Sequence, residues 1–369
     1  MSTYKSPVGN WWVLPGFKIE LMATGLDLPV NLAFVPEPGS ESTAPFLYVT
    51  ELYGQVKVIT NDWKVHTYAN NLLNYEPDHR FPGTGESGVT GLCIEPNTGD
   101  LFLSMIYEDN GDTKGKVVRT SSKDGLKVES MQTVIDEITS VKAAHQIQAV
   151  SIGFDGKLYV NVGDGMIEPE VAQNDNDLRG KILRMNLDGS IPEDNPNSES
   201  LVYAKGLRNP FGAAWRNSNK SLYISDNGPA DDDRIARIEP NQNYGWPKTM
   251  RLNSIFWWEF TQAPTAIDFM QYGQFPAAYT DELFVALFGA AYRKGRAIKG
   301  KKIVKIRLTE NDAGIKSYDE FVTYIGDGPA SPCGLAFGPD GLYFTDLHGE
   351  KNGLTKMPSG NIFRVSVRE

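Results

Sequence analysis

Short apolar runs with an aromatic residue at the centre recur along the chain at a nearly constant spacing. Alternating apolar runs of this length, bounded by Gly, Asp, Asn and Pro, are typical of β-strands joined by turns. Successive runs begin 54, 57, 64, 61 and 59 residues apart. The six runs are Leu47-Tyr48-Val49, Leu101-Phe102-Leu103, Leu158-Tyr159-Val160, Leu222-Tyr223-Ile224, Leu283-Phe284-Val285 and Leu342-Tyr343-Phe344. This spacing indicates six copies of one structural unit.

Each unit contains further short apolar segments that complete a small sheet. An apolar strand opens most units, as at 31–35 and 212–215, and a strand that ends in an apolar pair follows the aromatic run, as at 181–185. Sheets that repeat radially protect their edges by closing a ring. The sequence therefore predicts an all-β fold, a six-bladed β-propeller with four-stranded antiparallel blades, in which residues 1–369 form a single domain. Only 279–288 is ambiguous between strand and helix.

Long insertions between the units are expected to build the rim of one face. They are 71–88, 165–178 and 250–276. The last is rich in aromatic residues, and Trp257 and Trp258 are candidates for stacking on a sugar or a planar cofactor. An equally good interpretation is that such aromatics fill the core between the fourth and fifth blades.

The polar chemistry is concentrated in the loops between 145 and 247. His145 stands just before a strand and can act as a neutral base at physiological pH, since an unperturbed imidazole has a pKa near ~6.5. Asp164 lies in the turn after that strand and could hold one imidazole nitrogen, which would leave the other free. Arg208 could stabilise a developing negative charge on oxygen. Further on, Gly228 and Pro229 offer main-chain carbonyls, the hard oxygen ligands that calcium prefers.

Taken singly, each of these features has an ordinary structural explanation. A His near a strand is more often structural than catalytic, and Gly-Asp-Gly, Asp-Asn-Gly and Asn-Pro are common turn signals. Together, a base, its orienting carboxylate, a cation and an oxygen-lined pocket indicate redox or proton-transfer chemistry on a polar substrate.

The same motifs, in the same order, resemble the family of soluble quinoprotein glucose dehydrogenases, aldose sugar dehydrogenases and sorbosone dehydrogenases. A His precedes the strand phrase GFDGKLYV, and VGDG, LRGKILR, DGSIPEDNP, GLRNPFG, a GP followed by acids, and NYGWP come after it. Weaker similarities at 85–92 and 338–343 extend the resemblance to the rest of the chain. It implies a propeller that uses pyrroloquinoline quinone (PQQ) and calcium.

The resemblance also implies roles for individual residues. His145 would remove the hydroxyl proton of an aldose while hydride leaves the same carbon for the quinone. Asp164 would orient the imidazole, Arg208 would stabilise charge on the quinone oxygen, and Asn209 would contact the cofactor. Glu86 stands where the family has a polar residue close to the substrate.

For the metal, the resemblance implies that the carbonyls of Gly228 and Pro229 bind calcium and that Asp233 supports their loop. The chain departs from the family where the cofactor's carboxylates need cations. The segment before the last blade reads Ala330-Ser331-Pro332-Cys333-Gly334, so Ser331 and Cys333 stand where cationic anchors are expected. In the fifth blade, Arg293 is the remaining candidate anchor, with Lys294 and Arg296 nearby.

Composition narrows the class of partner. The net charge of -10 argues against nucleic acid or an anionic membrane surface, and no run approaches the roughly 18 apolar residues of a membrane span. No signal peptide is visible at the start, whereas the resemblance implies a periplasmic or secreted protein, with a cytoplasmic one as the alternative. Cys93 and Cys333 are expected to be free thiols.

Three functions stay open on the sequence. The first is a PQQ- and calcium-dependent dehydrogenase that oxidises the C1 hydroxyl of an aldose, or a related polyol, and passes electrons to a soluble acceptor. The second is a PQQ-free lyase, hydrolase or epimerase that uses His145, Arg208 and the calcium-lined pocket. The third is a carbohydrate-binding propeller. A monomer or a homodimer is compatible with each.

Overall fold

Six antiparallel sheets, each formed by strands that follow one another in sequence, make up the fold. The computed structural model describes residues 7–76, 85–140, 144–271, 273–289, 295–348 and 359–368. The innermost strand of each sheet contacts the innermost strand of the next, and the last contacts the first. The sheets therefore form a closed ring of six blades, which confirms the predicted all-β propeller.

The strands are numbered in chain order. The chain begins with two strands that join the last two blades, β1 (Trp11–Val13) and β2 (Phe17–Leu26). Blade 1, from the axis outward, contains β3 (Pro29–Phe34), β4 (Pro45–Glu51), β5 (Gln55–Thr60) and β6 (Val65–Ala69). Blade 2 contains β7 (Val89–Ile94), β8 (Leu101–Asp109), β9 (Asp112–Ser121) and β10 (Ser130–Thr139). Blade 3 contains β11 (Ile147–Ile152), β12 (Leu158–Val162), β13 (Lys181–Met185) and β14 (Val202–Lys205).

The remaining three blades follow the same order. Blade 4 contains β15 (Pro210–Arg216), β16 (Ser221–Asp226), β17 (Asp233–Ile238) and β18 (Phe256–Trp258). Blade 5 contains β19 (Pro264–Phe269), β20 (Leu283–Leu287), β21 (Lys302–Leu308) and β22 (Ile315–Tyr324). Blade 6 contains β23 (Pro332–Gly338), β24 (Gly341–Asp346) and β25 (Gly360–Val367).

The two N-terminal strands complete the last two blades. β2 pairs with β25 and supplies the outermost strand of blade 6, so the two ends of the chain close the ring together. β1 pairs with β22 and gives blade 5 a fifth strand, one more than the sequence predicted. Pairing both ends of the chain in one sheet resists the opening of the ring.

Helical structure in the described chain is limited to three short 3-10 helices, Pro7–Asn10, Pro169–Gln173 and Ala277–Tyr279. The ambiguous stretch 279–288 therefore contains strand β20 and no α-helix. Cys93 and Cys333 are both free, as expected. Within the described residues, no helix has the length and apolar character needed to cross a membrane.

The aromatic residue of each repeated run lies on the second strand of its blade and is buried. Because a buried tyrosine hydroxyl needs a partner, each of the four tyrosines among them donates to an oxygen acceptor. Tyr48 donates to the Gly125 carbonyl, and the other three donate to carboxylates. The six aromatics are Tyr48, Phe102, Tyr159, Tyr223, Phe284 and Tyr343.

Hydroxyl side chains join neighbouring blades near the axis. In blade 4, the Gly212 N–H donates to Ser225 Oγ (2.9 Å), and that hydroxyl donates to the Thr265 carbonyl of blade 5 (2.6 Å). A Cβ on Gly212 would lie 2.3 Å from the same carbonyl oxygen, so only glycine fits here. Blade 2 repeats the arrangement, with Gly91 and Ser104 closing on the Gln148 carbonyl of blade 3.

Candidate active site

The candidate residues of blades 2, 3 and 4 lie on one face of the propeller. Glu86, His145 and Asn209 come just before the innermost strands β7, β11 and β15. Asp164 and Gly228 come just after the second strands β12 and β16. Because adjacent strands run antiparallel, the start of a first strand and the end of a second strand meet at the same face. The structure thus brings together residues that are far apart in sequence.

His145 and Asp164 form a buried pair. The Nδ1–H of His145 donates to Asp164 Oδ1 at 2.5 Å, and only 7% of the His145 side chain and 1% of the Asp164 side chain are exposed. The His145 backbone has φ +51°, a left-handed conformation that is uncommon outside glycine. Such a conformation at a buried polar residue is frequent at functional sites.

Further donors hold the Asp164 carboxylate in its ionised form. Oδ1 also accepts from the Met166 N–H (2.8 Å), and Oδ2 accepts from the Trp246 indole N–H (2.7 Å). Burial alone would raise the pKa of Asp164, but the hydrogen bond with His145, together with those from Met166 and Trp246, holds it below its usual value. The carboxylate therefore fixes the imidazole with its proton on Nδ1.

Glu86 lies beside this pair at the top of the central axis. Its Oε2 accepts from the His145 main-chain N–H (2.9 Å) and the Gln148 side-chain amide (3.0 Å), and Asn209 Nδ2 donates to both carboxyl oxygens (3.1 and 3.2 Å). Burial raises the pKa of Glu86, and the nearby His145 and Asn209 offset this only in part. Glu86 thus links blades 2, 3 and 4 through a carboxyl that ionises less readily than usual.

Arg208 extends across the loop that follows β16. Its Nη1 donates to the carbonyls of Asn227 (3.0 Å) and Gly228 (2.9 Å), and its guanidinium lies over the Trp246 ring, 5.4 Å from the centroid. The Arg208 carbonyl accepts from the Asp164 N–H. The fixed cation is therefore tied to the same loops that hold the His145–Asp164 pair.

A buried ion pair supports the loop that carries Arg208 and Asn209. Asp226 accepts from the main-chain N–H of Asn209 (2.7 Å) and from Arg234 Nη2 (2.7 Å). Arg234 is fully buried and also donates to main-chain carbonyls, including that of Tyr244. Arg234 thus acts as the counter-ion of Asp226.

The three residues proposed for the calcium site differ in burial and in hydrogen bonding. The Gly228 carbonyl accepts from Arg208, Pro229 is exposed, and Asp233 is buried. Asp233 accepts from the N–H groups of Gly228, Gln262 and Ala263 and from the Thr261 hydroxyl, at 2.6 to 2.9 Å. Its oxygens accept hydrogen bonds that shape the loop, and its support of a calcium site stays a prediction. Among the described residues, no group of three or more His, Cys, Asp or Glu side chains is placed to hold a metal ion.

The two tryptophans expected at the substrate lie instead on β18, the outermost strand of blade 4. Trp258 is buried against Phe256 and Tyr318 and donates its indole N–H to the Tyr318 hydroxyl (3.1 Å). Trp257 is paired with the guanidinium of Arg251, 5.3 Å from the ring centroid. Trp258 thus fills the space between blades 4 and 5, the second interpretation given for these aromatics, because the outermost strand of a blade lies far from the axis. Contact of either tryptophan with a substrate stays a prediction.

The residues of blade 6 where the cofactor's carboxylates were expected to bind carry no positive charge. Ser331 and Cys333 are buried, the Ser331 N–H donates to Asp346, and the Cys333 carbonyl accepts from Thr265. Burial raises the pKa of Asp346 to about 7. Lys301 is close enough to Asp346 to oppose this rise, but its Nζ donates to the Gly295 carbonyl. Arg293 lies outside the described residues.

Sequence reasoning missed several partners of the site, namely Gln146, Gln148, Asp226 and Trp246. The two glutamines were visible as polar residues close to His145, Gln146 just before strand β11 and Gln148 within it, which is a signal of a buried polar network. Asp226 and Trp246 stand in the DNG and NYGWP motifs, where only the motif and no individual role was apparent. Their spacing from His145 carries no information until the blades are assembled.

The residues present fit a quinone cofactor at its reacting end. His145, Arg208 and Asn209 would supply a base, a fixed cation and an amide, and the Oδ1 of that amide has no hydrogen-bond partner among the described residues. The fit is weaker where carboxylates would be held, because Ala330, Ser331 and Cys333 provide no charge. Calcium would find hard oxygens at Gly228 and Pro229, but the Gly228 carbonyl already accepts from Arg208.

A propeller with a buried His–Asp pair and a fixed arginine at one end of its axis has the architecture of the sugar dehydrogenases, a class of oxidoreductases. The profile of the Glucose / Sorbosone dehydrogenase family matches residues 26–254, which is more than half of the chain. The chain belongs to this family.

Individual relatives show how far the similarity extends. Aldose sugar dehydrogenase YliI of Escherichia coli is 24% identical over 97% of this chain and 95% of its own length. Quinoprotein glucose dehydrogenase B of Acinetobacter calcoaceticus is 30% identical over 44% of this chain and 40% of its own. The PQQ-bound aldose sugar dehydrogenase of Streptomyces coelicolor superimposes with a TM-score of 0.71 and 20% identity, over 96% of this chain and 100% of that one. At this identity the superposition supports the fold alone.

Proposed function

We propose that the chain is a dehydrogenase that oxidises the C1 hydroxyl of an aldose or a related polyhydroxy compound, with His145 as the base. The observation that carries the proposal is the 2.5 Å contact between His145 Nδ1 and Asp164 Oδ1. This contact fixes the tautomer in which Nε2 keeps its lone pair. Among the described residues, no hydrogen-bond partner occupies Nε2, so it is available to a substrate hydroxyl.

His145 and Asp164 act together in proton transfer. Nε2 takes the hydroxyl proton, and the resulting imidazolium is stabilised by the adjacent carboxylate, which stays ionised because its pKa lies below the usual value. Trp246 keeps the carboxylate in position from the opposite side. Loss of the proton raises electron density on the substrate oxygen and favours the departure of hydride from its carbon.

PQQ, when bound, supplies the acceptor for that hydride, so that the alcohol is oxidised to a carbonyl compound. Arg208 and Asn209 would hold its reacting end, and the Arg208 guanidinium would stabilise negative charge there. Gly228 and Pro229 would supply carbonyls to calcium, with Asp233 shaping their loop. Arg293 is proposed as a carboxylate anchor on the strength of the sequence resemblance. A soluble electron acceptor completes the cycle.

Titration of the purified chain with PQQ in excess calcium tests the proposal. Absorbance reports binding, and reduction of an artificial dye in the presence of a panel of aldoses reports turnover. We expect saturable PQQ binding and sugar-dependent dye reduction. If high PQQ concentrations produce neither, the proposal fails.

A variant of His145 then tests the assigned base. His145→Asn retains a residue that tolerates the left-handed backbone but removes the base, so dye reduction should fall about 10²- to 10⁴-fold while PQQ binding stays unchanged. The control is His66→Asn, at an exposed position on β6, which should keep full activity. Equal activity of wild type and His145→Asn would assign the base elsewhere.

One observation favours a redox-neutral alternative. Glu86, whose pKa is raised by burial, accepts the main-chain N–H of His145. A carboxyl that ionises less readily than usual therefore lies beside the imidazole, and lyases and epimerases can use two such groups as acid and base. That function predicts conversion of a sugar without PQQ and without an electron acceptor. Such conversion, abolished by His145→Asn, would replace the dehydrogenase proposal.

A further inference from the structure

A cavity of about 630 Å³ follows the propeller axis directly below Glu86. Glu86 and Asn227 border it at the face that carries the candidate site, and Asp268 and Gln271, at and beyond the end of β19, border it near the opposite face. Each of the six innermost strands contributes at least one apolar residue to its wall, among them Leu32, Leu92, Val150, Phe211, Ile267 and Leu335. The cavity thus joins the candidate site to an apolar interior.

Several polar side chains in this wall donate hydrogen bonds to neighbouring blades. Asn31 donates to the Thr90 carbonyl, Thr90 to the Ile147 carbonyl (2.8 Å), and Thr265 to the Cys333 carbonyl (2.9 Å). These bonds close the ring and use donors that would otherwise hold water in the cavity. Between the two polar ends of the cavity, water has few polar partners, and an apolar group displaces such poorly held water favourably.

We propose that this central cavity binds an alkyl chain of an alcohol ligand, with the hydroxyl end at Glu86 and the chain extending toward Asp268. The oxidation of that hydroxyl rests on the proposed function, but binding of the chain does not. At about 30 Å³ for each water-sized group, the cavity has room for a chain of eight carbons. The proposal therefore assigns the site to amphipathic alcohols in addition to free sugars.

Glu86 determines which end of such a ligand faces the site. Its carboxyl borders the cavity and accepts the main-chain N–H of His145 at 2.9 Å. A hydroxyl at this boundary has a hydrogen-bond acceptor within reach, whereas an alkyl chain is favoured among Leu92, Val150 and Leu335. Burial of each methylene is worth about 0.8 kcal/mol, which corresponds to about a fourfold decrease in Kd.

A series of 1-alkanols tests the inference by isothermal titration calorimetry on the full chain without PQQ or dye. From 1-pentanol to 1-octanol, Kd should fall about fourfold for each methylene, with a negative heat-capacity change. A Kd that does not depend on chain length would overturn the inference, as would the absence of 1-octanol binding.

A variant that fills the cavity provides the second test. Ala149 is a small residue of the wall on β11, and Ala149→Phe should weaken 1-octanol binding at least about 10-fold. The matched control is Ala278→Phe, at an exposed position of the 3-10 helix Ala277–Tyr279 and outside the cavity wall, which should bind 1-octanol as the wild type does. Circular dichroism checks the fold, and Ala149→Val replaces the larger substitution if that protein unfolds. Unchanged binding by a folded Ala149 variant would overturn the inference.

The two proposals fail in different ways. If the protein binds 1-alkanols with an affinity that increases with their length but reduces no dye, the alkyl site is supported and the dehydrogenase proposal is rejected. If the protein oxidises aldoses but binds all alkanols equally, the dehydrogenase proposal is supported and the alkyl site is rejected.

Discussion

Glu86 has three uncharged donors as its direct partners: the His145 N–H, the Gln148 amide and the Asn209 amide. Hydrogen bonds of this kind stabilise a carboxylate less than a cation would. The effect of burial is therefore larger than theirs, and the pKa of Glu86 is raised. Asn209 can turn its amide over, since its Oδ1 has no described partner. The site therefore accommodates either protonation state of this carboxyl, and a glutamine in its place.

The variant Glu86→Gln should change how stability depends on pH. A carboxyl whose pKa is raised on folding stabilises the native state fully below its unfolded pKa of 4.5 and loses that contribution as pH rises through the folded value. As pH rises from 4.5 through the pKa of Glu86 in the folded protein, the wild type should therefore lose stability relative to Glu86→Gln. Urea unfolding at a series of pH values from 4 to 7 measures the difference.

The control for this experiment is Glu41→Gln, at an exposed position. Its free energy of unfolding should follow that of the wild type at each pH. If the curves of wild type and Glu86→Gln are parallel, Glu86 does not titrate as the structure implies.

At the scale of elements, hydroxyl bridges between innermost strands set how closely the blades approach. Ser225 accepts from Gly212 within blade 4 and donates to Thr265 of blade 5, and all of these atoms are buried. The absence of a Cβ at Gly212 permits the approach. The same combination at Gly91 and Ser104 shows that it is a repeated device of the fold.

Ser225→Ala should therefore destabilise the protein. The substitution leaves a buried N–H and a buried carbonyl without their partner, at a cost of about 1–3 kcal/mol. Ser221→Ala, at the start of the same strand and bonded only locally, should change stability by less than about 0.5 kcal/mol. Urea unfolding of both variants measures the difference. Equal stability would mean that the blades tolerate loss of the bridge.

At the scale of the whole molecule, closure of the ring depends on the N-terminal segment. β2 closes the ring by completing blade 6, and β1 extends blade 5, so residues 11–26 also join blades 5 and 6. Trp11 has 5% of its surface exposed and contacts Tyr324 of blade 5 and both Phe344 and Phe363 of blade 6. It is one of several aromatic contacts between the two blades.

Trp11→Ala should lower the free energy of unfolding by about 3–5 kcal/mol, the usual cost of deleting a buried aromatic side chain. Its neighbour Trp12 has 39% of its surface exposed, so Trp12→Ala should cost less than about 1 kcal/mol. Thermal and urea unfolding compare the two variants. Similar losses from both would show that the added strand, rather than the contacts of Trp11, stabilises the closure.

Much of the candidate site could be predicted because its residues stand at positions fixed by the repeat. His145 precedes a first strand and Asp164 follows a second strand, so their meeting at one face follows from the antiparallel order of the blade. Trp258 could not be placed in this way. A tryptophan can stack on a substrate or fill the core between blades. Which of the two applies to Trp258 depends on how far its strand lies from the axis.

The sequence by itself determined the period, the strand type and the motifs, because these depend on residues close together in the chain. Only the tertiary structure decided that Glu86 reaches His145 from 59 positions away, that Arg234 neutralises Asp226, and that a fifth strand joins blade 5. Such contacts arise between elements whose relative positions are set by packing of all six blades. A pattern along the chain specifies which face a side chain occupies, but the assembled ring specifies which partner it meets there.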